Sequence, residues 1–179
     1  MEQVLVRKAA TADLADILAI YAQARKFMRE HGNPDQWKDN RPSEKTVIND
    51  ILKRNCYIIQ LCSTERNGLT KSDDEKITVV GVFAFITGND PTYSSIDGAW
   101  HSDKPYGTIH RLASAGITGG IAKTCFDYCS KRISYLRIDT HEANTPMYKA
   151  VLDYGFRKCG TIITDNGTPR TAFDFINRQ

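Results

Sequence analysis

The chain has 179 residues, of which 41% are hydrophobic and 25% are charged, and its formal net charge is +3. This length predicts one domain over residues 1–179, and the composition excludes a disordered or fibrous protein. Lysine and arginine are interspersed with acidic residues and form no long basic run, so we expect no nucleic-acid partner. The sequence has no apolar signal core and no membrane-spanning segment, which predicts a cytoplasmic location and no membrane partner.

Apolar spacing predicts helices and strands in the first half of the chain. A short strand at Val4 to Arg7 precedes a helix capped by Thr11, and a second helix opens at Pro42-Ser43. Two runs rich in β-branched and apolar residues, Tyr57 to Leu61 and Ile77 to Thr87, follow and predict strands.

Two polar connections interrupt this pattern. Ser63 to Lys76 is rich in turn and charged residues and predicts an exposed hairpin tip. Gly88 to Tyr106 also contains turn formers, but it carries many aromatic and titratable groups, Asp97 and Trp100 among them. Loops of this content often line sites, and a loop folded over its own aromatic side chains is an equal alternative.

The second half alternates strands and helices around a glycine-rich loop at Gly116, Gly119 and Gly120. The predicted order is a strand at Thr108 to Ala113, the loop, a helix at Ile121 to Ser130, a strand at Tyr135 to Thr140, a helix at Asn144 to Tyr154, and a hairpin of Thr161 to Thr164 with Thr171 to Phe175. Together with the first half, this order predicts an α/β (α+β) fold whose mixed central sheet carries helices on both faces.

The glycine loop has the chemistry of a phosphate cradle. Glycines expose backbone N–H groups that a Cβ would shield, and a helix N-terminus presents the positive end of its dipole to an anion. The spacing does not match a P-loop, since no Lys-Ser/Thr pair follows Gly120. It also does not match the Gly-x-Gly-x-x-Gly dinucleotide fingerprint.

Three features together resemble the GCN5-related N-acetyltransferase (GNAT) family. The segment Ile117-Thr118-Gly119-Gly120-Ile121-Ala122 resembles the family's Gln/Arg-x-x-Gly-x-Gly/Ala loop, and Asn144 and Gly155-Phe156 match the later motif at the family's spacing. Ile117 departs from the pattern, because the family usually has Gln or Arg there. The resemblance implies a mostly antiparallel GNAT-like sheet and acetyl-CoA as cosubstrate.

The resemblance also implies which residues contact acetyl-CoA. Two adjacent strands part in this family, and the exposed backbone of one of them binds the pantetheine arm. One amide there polarises the thioester carbonyl, as in an oxyanion hole. The implied contacts are Leu112, Ala113, Ser114, Ile117, Thr118, Gly119, Gly120, Ile121, Ala122 and Asn144. Asn144 is equally an expected helix N-cap.

Candidate catalytic residues follow from chemistry and from the resemblance. His110 is the first candidate for the general base, because the pKa of an ordinary histidine lies near neutrality and relatives often carry the base on this strand. Asp97 and His141 are the alternative bases, and a hydrogen-bonded core histidine is the alternative role for His110. Relatives often place a tyrosine acid seven residues after the asparagine, where this chain has Val151. Tyr148 is then the candidate acid, with a packing role or no acid at all as alternatives.

The resemblance implies an N-acetyltransferase that transfers acetyl from acetyl-CoA directly to a primary amine on a small molecule or a protein. The helical pair before residue 53 forms a wall of the acceptor site in this family, so Trp37 is a candidate acceptor contact, with an anchoring core tryptophan as the equal alternative. Trp100 and His141 are the other candidate acceptor contacts. A non-catalytic ligand-binding member of the fold is the rival interpretation, and a homodimer is one assembly left open. Zinc-protease spacing after His141 is incomplete, and we expect no metal.

The five cysteines, an odd number without paired metal-type spacing, favour free thiols in a reducing compartment. Cys125 and Cys129 lie four residues apart on a predicted helix. They are expected as buried small hydrophobes and not as a redox or metal pair.

Overall fold

The computed structural model describes residues 2–38, 40–66 and 73–177, with the side chains of 64–66 and 73–75 outside that description. The strands are β1 (Glu2–Lys8), β2 (Cys56–Arg66), β3 (Asp73–Thr87), β4 (Asp97–Gly98), β5 (Gly107–Ser114), β6 (Tyr135–Thr140), β7 (Arg157–Ile163) and β8 (Pro169–Ile176). The helices are α1 (Leu14–Glu30), α2 (Glu44–Leu52), α3 (Ile121–Ser130) and α4 (Thr145–Tyr154). No helix in the described ranges is both long and apolar enough to cross a bilayer.

All eight strands join one sheet in the order β1-β2-β3-β5-β6-β8-β7-β4. Each neighbouring pair is antiparallel except β5 and β6, which are parallel. This confirms the predicted mixed, mostly antiparallel sheet.

Helices cover both faces of the sheet because the central strands are apolar on both sides. In β2, Ile58 packs in a core cluster with α1 and α2, whereas its neighbour Ile59 packs in another cluster with α3 and α4. Successive side chains of a strand point to opposite faces, so adjacent apolar residues require a layer on each side. Full burial of a side chain such as Phe126 in α3 stabilises the fold by about 1.5–3 kcal/mol.

The predicted free thiols are confirmed, since all five cysteines are unbridged. Cys125 and Cys129 are fully buried in the core beneath α3. Burial raises the pKa of the Cys125 thiol well above its ordinary value, which agrees with a packing role and not with a reactive thiol.

The polar segment Ser63 to Lys76 was predicted to be a hairpin tip, and that prediction is wrong for most of its length. β2 continues to Arg66 and β3 begins at Asp73, and the two strands stay paired to that point. Antiparallel pairing extends past the core here because the backbone hydrogen bonds do not depend on apolar side chains. Residues 67–72 lie outside the described part of the chain.

The parallel pair is the irregular part of the sheet. β5 and β6 pair only through Gly107–Ile109 and Leu136–Ile138. Beyond that point β5 bulges against β3, where the pairing register shifts between Val82 and Ala84. Arg111, within the bulge, has a φ of 55°. A bulge bends a strand and redirects its side chains, so β5 separates from β6 and leaves a gap between the two strands.

Candidate active site

A cavity of about 720 Å³ lies at the gap between β5 and β6. Its walls come from the α1–α2 connection, the middle of β5, the end of β6, the start of α4 and the β7–β8 turn. The residues that line it include Gln36, Trp37, Arg41, Asp90, His110, Arg111, Leu112, Asp139, Asn144, Met147, Asp165 and Arg170. Sites between parted strands are common because backbone groups there have no partner within the sheet.

His110 lies in this cavity with a carboxylate near each ring nitrogen. Its Nε2 is 2.6 Å from Asp90 Oδ2, and its Nδ1 is 3.9 Å from Asp139 Oδ1. Ile109 and Ile138 are register partners in the parallel pair. The residues that follow them, His110 and Asp139, therefore share the other face of the sheet. We call His110, Asp90 and Asp139 the cavity cluster.

Asp90 holds the His110 ring. It caps the short 3₁₀ turn Pro91–Tyr93 by accepting from the Thr92 amide at 2.9 Å. Burial alone would raise the pKa of Asp90, but the hydrogen bond and charge of His110, together with the Thr92 amide, outweigh it and hold that pKa at about 2. Asp90 is therefore an ionised acceptor at neutral pH, and the hydrogen it shares with His110 belongs to Nε2.

Asp139 is fixed by a buried phenol. Tyr93, fully enclosed by protein, donates to Asp139 Oδ1 at 2.7 Å. Burial, reinforced by the charge of Asp139, raises the pKa of Tyr93 well above its ordinary value, so the phenol remains a donor. The cavity cluster thus carries two carboxylates, and its field favours a cationic or protonated ligand.

The glycine loop presents a bare backbone surface. Gly120 caps α3 in the left-handed region with a φ of 77°. A Cβ at Gly119 or Gly120 would meet no heavy atom within 4 Å, so the space in front of these residues is open. In the described part of the chain the amides of Ile117 to Gly120 donate to no backbone or side-chain acceptor. Such a loop before a helix N-terminus fits an anion.

Ile117 projects from the same loop with 60% of its surface exposed. Its side chain belongs to none of the core clusters formed by the described residues. Ile121, at the start of α3, is buried instead and packs in the core, so its predicted contact with a ligand involves its backbone amide.

The free edge of β5 follows the parting of the strands. Ala113 and Ser114 pair with β3 on one side, while on the side that would face β6 no described strand pairs with β5 after Ile109. Leu112 on this edge lines the cavity. An extended amide-containing ligand can bind such an edge as an added strand does.

Asn144 caps a helix and also lies in the cavity wall. It is the N-cap of α4, where its Oδ1 accepts from the Met147 amide at 3.3 Å. It also lines the cavity, and its Nδ2 donates to Gln36 Oε1 at 2.9 Å. Trp37 lines the cavity as well, and its ring packs edge-on against Tyr21 at 5.5 Å, so a core role and a wall role coincide.

Two residues predicted near the chemistry lie outside the cavity. Tyr148 packs edge-on against Phe173 at 5.1 Å and borders a separate surface depression with Lys149. The helical turn from Asn144 brings Met147, not Tyr148, to the cavity. His141 uses its Nδ1 to accept from the Ala143 amide at 3.1 Å, which explains it as a turn-capping residue.

Two residues of the predicted site loop are also elsewhere. Asp97 is exposed in β4, where it pairs with Thr161 of β7 at the edge of the sheet. Trp100 packs on Tyr93 and lies under the Arg137 guanidinium, 4.0 Å from the ring centre. For Trp100, the alternative of a loop folded over its own aromatics therefore describes the structure.

A second group of titratable side chains lies near the β7 edge, and we call it the edge cluster. His101 Nδ1 is 2.9 Å from Asp174 Oδ1 and 3.4 Å from Cys159 Sγ. The three ligand-type atoms lie within 4.8 Å of one another. Asp174 is fully buried, and its Oδ2 accepts from Tyr135 and from the His101 amide, each at 2.8 Å. Hydrogen bonds within the protein thus use both of its oxygens.

Sequence reasoning missed Asp90, Asp139 and Arg170 among the cavity residues. Asp139 carried a usable signal, because a carboxylate near the end of a predicted buried strand, beside a strand that carries His110, is unusual. Asp90 and Arg170 come from distant parts of the chain, and no local pattern relates them to His110.

Solved structures of similar fold were found over nearly the whole chain. A GNAT-family acetyltransferase from Streptococcus agalactiae is 26% identical, with 98% of this chain and 96% of that chain covered and a TM-score of 0.81. One from Listeria monocytogenes is 17% identical, with 97% and 94% covered and a TM-score of 0.65. The yncA protein of Salmonella typhimurium, solved with its cofactor acetyl-CoA, is 14% identical, with 98% and 95% covered and a TM-score of 0.58.

No protein-family profile matches the chain, and no curated protein sequence matches it. The likeness therefore rests on the sheet order, the parted parallel strands and the fold comparison. On these grounds the chain has the fold of the GCN5-related N-acetyltransferases and resembles members of that family.

Proposed function

We propose that the protein transfers the acetyl group of acetyl-CoA directly to a primary amine, with both substrates bound together and no covalent enzyme intermediate. The observation that carries the proposal is the position of His110. Its Nδ1 and Asp139 Oδ1 lie 3.9 Å apart within the cavity between the parted strands. That separation lets one donor nitrogen bond to both atoms at ordinary hydrogen-bond lengths of about 2.8–3.0 Å.

The tautomer of His110 supports a role as general base. Because ionised Asp90 only accepts hydrogen bonds, it holds the hydrogen on Nε2. The lone pair of the neutral ring is then on Nδ1, the nitrogen that faces Asp139. An ammonium held between these two atoms can give a proton to Nδ1 and become a nucleophilic amine. Asp139 keeps the negative charge that attracts the ammonium.

The backbone of β5 and the glycine loop fit acetyl-CoA. The free edge at Leu112 to Ser114 suits the amides of the pantetheine arm, and the amides of Ile117 to Gly120 suit the diphosphate. A Cβ at Gly119 or Gly120 would occupy the open space in front of those amides. When bound, acetyl-CoA supplies an activated thioester carbonyl.

The position of Tyr148 supports a mechanism without a tyrosine acid. Its ring packs on Phe173 outside the cavity, and Val151 is fully buried. A thiolate leaving group has a pKa near that of cysteine, and it departs at neutral pH with little need for protonation.

Thermal unfolding with each ligand tests the cofactor. Acetyl-CoA in excess should raise the unfolding midpoint, while ATP and NAD should leave it unchanged, because a ligand that binds only the folded state stabilises it. Thiol release from acetyl-CoA in the presence of a panel of primary amines then tests transfer. Stabilisation by acetyl-CoA without thiol release from any amine would favour the rival, a ligand-binding member of the fold, for which the exposed Ile117 is the motivating departure. Stabilisation by ATP alone would contradict both interpretations.

A further inference from the structure

Arg170 is a buried cation in the wall of the cavity. Its side chain comes from β8, and only 5% of the residue is exposed. Its guanidinium donates to two backbone carbonyls, Nη1 to Pro169 at 3.2 Å and Nη2 to Gln36 at 3.0 Å. Burial lowers the pKa of Arg170, and the charge of Asp139 offsets this only in part. Arginine is rarely buried to this degree without a carboxylate partner.

The other two arginines in the cavity wall differ in this respect. Arg111 forms an ion pair with Asp50 at 2.8 Å, and Arg41 forms one with Asp165 at 3.0 Å. Within the described ranges, no carboxylate lies within 4.0 Å of Arg170. Among the described residues, Arg170 is thus the cavity arginine without a carboxylate at ion-pair distance, although it is the most buried of the three.

The sheet register places Arg170 on the same face as the cavity cluster. Asp139 of β6 is the register partner of Ala172 in β8, and partners across an antiparallel pair share a face. Arg170, two residues before Ala172, shares that face and is the diagonal neighbour of Asp139. Diagonal neighbours have Cα atoms about 7–8 Å apart. Arg170, which attracts an anion, and Asp139, which attracts a cation, are therefore neighbours on one face of the sheet.

We propose that the acceptor is a free α-amino acid, whose carboxylate binds Arg170 while its ammonium group binds between His110 and Asp139. This inference rests on the proposed function and names its acceptor class. The two charged groups of an α-amino acid are on one carbon, which suits neighbouring sites of opposite charge. A planar carboxylate matches the fork of a guanidinium.

Other acceptor classes fit this arrangement less well. A lysine side chain or an amino terminus within a polypeptide has its own carboxyl group converted to an amide, so it cannot neutralise Arg170. A phosphate monoester carries a charge of about −1.5 to −2 at pH 7, and Asp139 nearby would repel the excess. The structure therefore favours a monoanionic carboxylate.

Matched pairs of acceptors test the proposal. Steady-state rates of thiol release are measured for the free amino acids and for the carboxamide of each one that is accepted. The wild-type protein should use the acids with kcat/KM about 10- to 100-fold above that of their amides, as expected when charge-assisted hydrogen bonds are lost. The amide keeps the amine and the side chain and removes only the negative charge.

Substitution of Arg170 tests whether this residue causes the preference for free amino acids over their carboxamides. Arg170→Gln should raise the KM for amino acids by about 10- to 100-fold, remove the preference over amides, and leave the KM for acetyl-CoA unchanged. Arg170→Lys, which keeps the charge but not the fork, should retain part of the preference. Arg132→Gln, an exposed arginine beside Tyr128, is the matched control and should behave as wild type.

Three outcomes overturn the inference. The first is equal use of amino acids and their amides by the wild-type protein. The second is an equal loss of kcat/KM for amino acids and for amides in Arg170→Gln, which would indicate a structural role for Arg170. Each leaves the proposed function intact if amines are acetylated. No acetylation of any amine, with no stabilisation by acetyl-CoA, would overturn both proposals together. Stabilisation of each variant by acetyl-CoA in thermal unfolding shows that the variants are folded.

Discussion

Two histidine–aspartate pairs of similar geometry occur in one sheet, and their surroundings differ. His110 is 2.6 Å from Asp90 and lines the cavity, whereas His101 is 2.9 Å from Asp174 near the β7 edge. Asp174 is fully buried and also accepts a hydrogen bond from Tyr135. His110, in contrast, has its second ring nitrogen 3.9 Å from Asp139 Oδ1, so one ligand donor beside the two atoms can bond to both.

Under the proposed function, the difference means that a histidine–aspartate pair alone is not enough for a catalytic role. In the edge cluster, the carboxylate is the buried member and the histidine covers it, so the pair satisfies a buried charge. In the cavity cluster, the carboxylate fixes one nitrogen of the histidine and leaves the other toward open space. The position of the strand gap relative to each histidine decides which role it takes.

The largest effect is expected from removing His110, with removal of His101 as the comparison. His110→Gln should lower kcat by about 10²–10⁴-fold, the usual contribution of general acid–base catalysis. It should leave the stabilisation by acetyl-CoA unchanged, because His110 lies away from the glycine loop. His101→Gln is the matched control and should keep kcat near the wild-type value. Equal losses in the two variants, measured as thiol release under saturating substrates, would break the comparison.

The next effect concerns the stability of the fold, for which the edge cluster should matter more than the cavity cluster. Asp174→Asn should lower the free energy of unfolding by about 1–3 kcal/mol, because an amide nitrogen would replace one of the oxygens with which the fully buried side chain accepts three hydrogen bonds. Asp90→Asn should destabilise less, because its side chain borders the cavity, but it should reduce kcat. Urea unfolding of both variants beside wild type measures this. A larger loss in Asp90→Asn would reverse the assignment of structural and catalytic pairs.

The smallest effect is a pH dependence of the cavity pair. The folded-state pKa of Asp90, about 2, is below the ordinary aspartate value of 3.8. A depressed carboxyl pKa stabilises the fold fully above the unfolded-state value and loses that contribution as pH falls toward the folded value. The stability difference between wild type and Asp90→Asn should therefore shrink from pH 4 to pH 2. A difference that stays constant over this range, in urea unfolding at each pH, would contradict it.

Several elements were predictable because their signals are local. The predicted bounds of α3, Ile121 to Ser130, and of β6, Tyr135 to Thr140, are those of the structure. The glycine loop before α3 and the Asn144 cap of α4 were likewise read from short spacings. Helical periodicity, capping and strand runs depend on residues within a few positions, and they carry over into the folded chain.

The elements that were missed depend on distant partners. β4 is two residues long and exists because Gly98 pairs with Gly160 of β7. A Cβ at either glycine would collide with the other strand's backbone, so this close approach requires glycine at both positions. Neither glycine alone indicates a strand.

The sequence by itself determined the order of the elements, the apolar layers on both faces of the sheet and the glycine loop. Each of these depends on residues close together in the chain and on the spacing of apolar residues. His110 was also identifiable as a candidate base from its residue type and its strand. Only the tertiary structure decided that Asp90, Asp139 and Arg170 surround it, and that Asp97, Tyr148 and His141 do not. These groups come from separate elements, and the register of β6 with β8 and the bulge in β5 bring them together. Register and bulges arise from pairing between distant strands, which no short stretch of sequence encodes.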